Sequence, residues 1–164
     1  MKNILFTRKL IRKSEEYASS LFKVNFNNDD ILLSKEEIIR QSNDCDGIVS
    51  SVTEVFDDDI ISKLSRTIKI ISNFGVGFSN IDIEAAKRRN IIVTNTPDVL
   101  TEATAEIAIL ILLGAARRAT EGIKYARNEN WKWSSDFLIG KELNNAKLGI
   151  LGMGRIGQAV ARRA

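Results

Sequence analysis

Gly152-Met153-Gly154-Arg155-Ile156-Gly157 is a G-x-G-x-x-G run. It follows an apolar stretch, Leu148 to Leu151, and opens a helical pattern carrying Ile156, Ala159 and Val160. That is the strand–turn–helix context in which such glycines hold a dinucleotide. Each glycine has its own reason to be there. Gly152 permits a tight turn, Gly154 lets the backbone approach a pyrophosphate, and Gly157 lets the helix pack closely on the strand. The helix N-terminus then offers unpaired N–H groups and a partial positive charge. A glycine-rich turn that binds no nucleotide fits the same letters, and the motif by itself leaves both readings open. The acidic residue that would meet the ribose, and separate NAD from NADP, is expected about 20 positions further on, beyond Ala164. A second set, Gly75-Val76-Gly77, follows the apolar run Ile68 to Phe74. Two successive amides in such a loop can hold a carboxylate. A pair of turn glycines needing positive φ has the same spacing.

The chain has 164 residues and no histidine. Within it, zinc sites built on imidazole, Ser-His-Asp triads and histidine acids are therefore excluded. The single cysteine, Cys45, excludes an internal disulfide and fits a reducing compartment, so the expected location is cytoplasmic. Lys plus Arg number 24 against 21 Asp plus Glu, a net charge of +3, with hydrophobic residues at 44% and charged ones at 27%. This is the balance of a soluble globular protein. The basic residues are scattered in pairs (Arg8-Lys9, Arg12-Lys13, Arg88-Arg89, Arg117-Arg118), which reads as solvated surface and not as a nucleic-acid stripe. Met1 to Lys13 holds no signal-peptide core. The longest apolar run, Ile107 to Ala116, falls short of the ~20 residues of a membrane span.

Short β-branched runs alternate with helical patterns. Strands are expected at Lys2–Thr7, Lys23–Phe26, Gly47–Val52, Ile68–Phe74, Ile91–Asn95 and Lys147–Leu151. Helices are expected from Arg8 to about Leu21, from Ser34 to about Gln41, from Asp57 to Leu64 and from Ile81 to Arg89. Ser34 and Glu37 have capping-box spacing, and Asp82 is a cap candidate. This alternation predicts an α/β fold with a doubly wound parallel sheet. Pro97, the only proline, marks a change of pattern. A helix from Thr101 to about Asn128 is expected to follow, apolar almost all round in its first half and so buried between domains or subunits. Its second half should emerge into solvent. Residues 128–145, with Trp131, Trp133 and Phe137, read as irregular.

Four ordered blocks carry a resemblance: Ile71-Ser72-Asn73-Phe74-Gly75-Val76-Gly77-Phe78, Val93-Thr94-Asn95-Thr96-Pro97-Asp98-Val99-Leu100-Thr101, Thr104-Ala105-Glu106, and Leu148 through the glycine run to Ala159. Together they resemble the D-isomer-specific 2-hydroxyacid dehydrogenases, most closely the glyoxylate/hydroxypyruvate reductase branch. The resemblance is strong from Ile68 to Ala164 and rests only on element order before Arg66. It implies a flavodoxin-like substrate domain over residues 1–98. Residues 99–164 would form an interdomain and dimerisation helix and the truncated start of a Rossmann NAD(P)-binding domain. It further implies that the amides of Val76 and Gly77 hold the substrate carboxylate and that Thr104 lies beside the nicotinamide. The pyrophosphate would be wrapped by Gly152, Met153, Gly154, Arg155, Ile156 and Gly157. Phe137 would either reach towards a partner's active site or simply pack in an interface. Ser79 departs from the family, where Asp is frequent.

The family's catalytic Arg, Glu and His have no counterpart in this chain, so no catalytic residue and no metal ligand is assigned. The expectation is a homodimeric NAD- or NADP-dependent oxidoreductase of small 2-oxo or 2-hydroxy acids, of which this chain is an N-terminal part, inactive alone. The rival is a naturally short, non-catalytic module that dimerises or regulates.

Overall fold

Hydrophobic register explains the architecture. The structure is a computed structural model and describes residues 1–128 and 131–164. Five parallel strands form one sheet in the order β2-β1-β3-β4-β5: β1 Asn3–Phe6, β2 Lys23–Asn25, β3 Gly47–Ser51, β4 Ile70–Phe74 and β5 Ile92–Thr94. This is the doubly wound order of flavodoxin-like folds. Leu5 pairs with Ile48, Ile48 with Ile71, and Ile71 with Val93, so one row of apolar side chains crosses four strands on a single face. Against it lie Ile38 of α2 (Lys35–Gln41), Ile60 and Ile61 of α3 (Asp58–Lys63), and Ala85 and Ala86 of α4 (Ile83–Arg88). Each large aliphatic side chain buried this way contributes roughly 1.5–3 kcal/mol.

Side chains fix the helix starts, at Ser34 and Asp82 as the spacing predicts and at Asp57 as a further cap. Ser34 and Glu37 form the complete capping box, with Glu37 N donating to Ser34 Oγ at 3.2 Å and Ser34 N donating to Glu37 at 2.8 Å. Asp57 accepts from Ile60 N at 3.1 Å and Asp82 from Ala85 N at 2.9 Å. Helix α1 (Arg12–Leu21) begins four residues later than expected. Arg8 and Lys9 are held as loop by Asp30, which accepts from Arg8 Nε at 2.7 Å and Lys9 N at 3.0 Å.

The chain divides into two compact units, Met1–Pro97 and Asp98–Ala164. The second departs from expectation in two ways. The long helix is two helices, α5 (Thr101–Ala116) and α6 (Ala119–Ala126), separated by Arg118 in the left-handed region at φ 54°. The Ala116 carbonyl, which would continue the helix, instead accepts from Lys141 N at 2.7 Å. Within the chain α5 buries Ala105 alone and leaves Ile107, Leu110 and Ile111 more than half exposed, as a helix expected to meet another domain or subunit would. Within this unit α6 and α7 (Arg155–Arg163) pack on it, and α6 itself faces solvent as the pattern implies. Finally, Lys147–Leu151 forms no strand, because no described segment offers it a hydrogen-bonding ladder. The irregular segment from Asn128 is seen from Trp131 onward, residues 129–130 lying outside the described residues. There Phe137 stacks on Trp131 and meets Tyr125 edge-on.

Several carboxylates are held below their ordinary range by the fold. The Lys2 ammonium and the Asn3 amide act on Asp46, Lys35 and the Ile60 amide on Asp57, and the Ser34 amide and hydroxyl on Glu37. A carboxylate depressed in the folded state stabilises it above the unfolded pKa and loses that contribution as pH falls through the folded value. The melting temperature is therefore expected to stay flat from pH 7 to about 5 and to fall below about pH 4. Asp46→Asn should shrink that acid-side drop. Ser34→Ala should cost about 1 kcal/mol in urea unfolding.

Candidate functional site

The carboxyl ends of β1, β3 and β4 carry a cluster of buried polar groups, where a parallel sheet presents its loops. Thr7, Ser50, Glu54 and Asn73 are all essentially inaccessible to solvent. Groups buried this deeply need partners, and they have them. Glu54 accepts from Ser51 N at 2.9 Å, Ser51 Oγ at 3.1 Å and Thr53 Oγ at 3.0 Å. Asn80 donates to the carbonyls of Ser51 at 3.1 Å and Glu54 at 2.9 Å, and it lies 3.4 Å from Asn73 Oδ1. Beside them, Arg8 reaches Asp30 and Thr53. The Arg8 guanidinium and the Lys9 amide hold the Asp30 carboxyl well below the usual carboxylate range.

From this base the loop Gly75-Val76-Gly77 leaves β4. All three of its carbonyls are occupied. Gly75 O accepts from Thr96 N at 2.9 Å, Val76 O from Asn95 Nδ2 at 2.8 Å, and Gly77 O from Asn73 Nδ2 at 2.8 Å. Among the described residues, neither Val76 N–H nor Gly77 N–H has an acceptor within the chain. The loop thus offers two free donors and no free acceptor, which suits an anion. It is not a left-handed turn: Gly152 is the only described glycine with positive φ. Gly75 instead lies in close approach to a side chain, a Cβ there falling 2.4 Å from Val52 Cγ1, while Gly77 faces open space.

In the second unit the three glycines of 152–157 differ as their proposed duties differ. Gly152 has φ +96°, a conformation L side chains rarely adopt. Gly154 is the N-cap of α7, with no side-chain cap, and nothing lies within 4 Å of where its Cβ would be. A Cβ on Gly157 would fall 2.1 Å from the Gly152 carbonyl oxygen. The turn is therefore compact, with open space at its centre and uncapped amides beneath it. Those are the features a pyrophosphate needs. Met153 and Arg155 are exposed and Ile156 is half-buried; Arg155 Nε pairs with Asp98 at 2.7 Å. Thr104 is half-buried on α5, and Ala105, Glu102 and α7 surround the same helix turn through Arg162 and Arg163, which bind Glu102.

Sequence reasoning assigned no role to Asn73, Asn80 or Asn95. For Asn73 and Asn95 the available signal was an asparagine inside or just after a β-branched strand, a residue type depleted there unless its carboxamide is used; Asn80, in the loop after β4, gave none.

The family profile "D-isomer specific 2-hydroxyacid dehydrogenase, catalytic domain" matches residues 4–154. The chain belongs to that family. Glyoxylate reductase of Korarchaeum cryptofilum is 39% identical over 163 residues, covering 98% of this chain and 49% of the relative. Glycerate dehydrogenase of Hyphomicrobium methylovorum is 40% identical over 164 residues, covering 99% and 51%. A solved structure from Polaromonas sp. JS6 66, assigned as an NAD-binding D-isomer specific 2-hydroxyacid dehydrogenase, superposes with a TM-score of 0.90 at 34% identity, over 99% of this chain and 51% of that one. The chain spans about half the length of the D-2-hydroxyacid dehydrogenases it matches. Among the described residues no helix is long and apolar enough to cross a membrane, and no group of acidic or thiol side chains could hold a metal.

The glycine geometry predicts a contrast. Gly157→Ala should force α7 away from the Gly152 carbonyl and cost about 1–3 kcal/mol in urea unfolding. Gly154→Ala should cost less, about 0.5 kcal/mol, because its methyl meets nothing and only the poorer N-capping of Ala remains.

Proposed function

We propose that this chain carries the carboxylate-binding loop and the pyrophosphate-binding turn of an enzyme that moves hydride between a nicotinamide cofactor and C2 of a small 2-oxo or 2-hydroxy acid. Glyoxylate and hydroxypyruvate are the favoured substrates, in keeping with relatives named glyoxylate reductase and glycerate dehydrogenase. The observation that carries this reading is the loop 75–77, whose carbonyls are all occupied while the amides of Val76 and Gly77 have no acceptor in the chain. A carboxylate on those amides would leave the carbon bearing the oxo group projecting from the loop. Charge-assisted hydrogen bonds of this kind are about twice as strong as neutral ones.

The residues of the second unit fit the cofactor. Gly152 to Gly157 would seat the pyrophosphate, Met153 and Ile156 flanking it and Arg155 adding positive charge, with Thr104 beside the nicotinamide. The cofactor, NAD or NADP, supplies the hydride when bound. The protein's task is orientation, which hydrogen-bonded loop carbonyls serve by aiming the amides behind them. With no histidine in its sequence, this chain does not supply an imidazole proton donor, and we assign it no turnover by itself. The assembled enzyme is assigned to the cytoplasm, where the buried thiol of Cys45 stays reduced, as a homodimer paired through the apolar side of α5.

The same exposed side of α5, Ile107, Leu110 and Ile111, favours one rival: a short non-catalytic module that dimerises or regulates. The two readings diverge in one set of measurements. On the enzyme reading, oxamate, an unreactive 2-oxo acid analogue, saturably shifts the Val76 and Gly77 amide resonances of the ¹⁵N-labelled chain. NADH or NADPH oxidation with glyoxylate stays at the no-enzyme blank. Absence of any oxamate shift, with an obligate oligomer in light scattering, would favour the module. Turnover by the isolated chain would overturn the division of labour proposed here.

A further inference from the structure

The orientation of the Val76–Gly77 peptide plane is secured by a side chain and not by backbone. A trans peptide points its C=O and N–H in opposite directions from one rigid plane, and among the described residues no peptide is cis. The Val76 carbonyl and the Gly77 N–H are therefore the two ends of a single unit, and holding one aims the other. The preceding plane is held by a backbone donor, Thr96 N on Gly75 O at 2.9 Å. The Val76–Gly77 plane is held by a side chain, Asn95 Nδ2 on Val76 O at 2.8 Å.

This plane is also one that can turn over. A peptide preceding glycine can flip between turn types because glycine accepts φ of either sign. Nothing lies within 4 Å of the Gly77 Cβ position to hinder it. A flip would replace the outward N–H with a carbonyl oxygen and change attraction for a carboxylate into repulsion. Asn95 itself is well anchored. It follows β5 directly and is half-buried, and its neighbour Thr96 is confined to extended backbone by Pro97. Its carboxamide carries no charge, so the lock does not titrate.

We infer that Asn95 is a positioning residue: its carboxamide locks the Val76–Gly77 peptide so that Gly77 N–H is presented for a carboxylate, the function proposed above for this loop. It never touches the substrate. Asn73 secures the following plane through Gly77 O at 2.8 Å, but it is fully buried and its loss would disturb the core. Asn95 can be changed with far less damage.

The test uses the full 164-residue chain, ¹⁵N-labelled, with Asn95→Ala and the isosteric Asn95→Asp, which keeps the shape but, ionised, cannot donate. Residual dipolar couplings of the free chains report the direction of each N–H vector, and an oxamate titration reports affinity. In both variants the Gly77 vector should reorient while those of Val76 and the β3 and β4 amides stay put. Oxamate should bind at least about tenfold more weakly, the loss of one well-placed hydrogen bond. A Gly77 vector that stays where it was would overturn the inference. So would a reoriented vector with oxamate affinity within twofold of the unsubstituted chain. If the unsubstituted chain itself does not bind oxamate, the carboxylate function of the loop falls, and with it the purpose assigned to Asn95. The Gly77 couplings in the variants then still decide whether the lock exists.

Discussion

Three occupied carbonyls govern the first unit's chemistry. Gly75, Val76 and Gly77 each turn a C=O inward to a fixed donor, and peptide planarity leaves the corresponding amides to face away. The rest of unit 1 supplies the donors. Parallel pairing of β3, β4 and β5 brings Asn73 at the end of one strand and Asn95 after another to the same sheet edge. The row Leu5, Ile48, Ile71 and Val93 fixes that register, because a slip of one residue would turn every one of these side chains to the other face. The apolar core and the polar loop are two consequences of one alignment.

The turn at 152–157 obeys a different constraint, that of space. Gly157 admits the Gly152 carbonyl, Gly152 takes up positive φ, and Gly154 leaves an opening above the start of α7. Both loops present backbone amides and not side chains. Such donors are neutral and stay donors at any pH, and their direction is set by the fold. A reaction whose covalent chemistry belongs to a cofactor needs little more from this part of the protein than rigid, correctly aimed donors.

Much of this was legible in the residues. The capping box at Ser34 and Glu37 and the aspartate cap at 82 are local, spanning three or four positions, and each stands where its spacing puts it. The five strands were legible because each apolar run is short and bounded by polar residues. What escaped depends on partners distant in sequence. At the helix break before Arg118 the Ala116 carbonyl is taken by Lys141, distant in sequence. The run Lys147–Leu151 has strand composition, yet a strand exists only with a neighbour to pair with. Asn95 and Val76 are joined across 19 positions, so their hydrogen bond leaves no local pattern. The blocks containing both residues marked the family, but the carboxamide's part in the loop became visible only once the strands were aligned.

The most direct test of the central claim is a crystal structure of this chain with oxamate. The prediction is a carboxylate within about 3 Å of both Val76 N and Gly77 N, with Asn95 Nδ2 still on the Val76 carbonyl. Oxamate bound elsewhere, or a loop whose Val76 and Gly77 amides turn inward to protein acceptors, would contradict it.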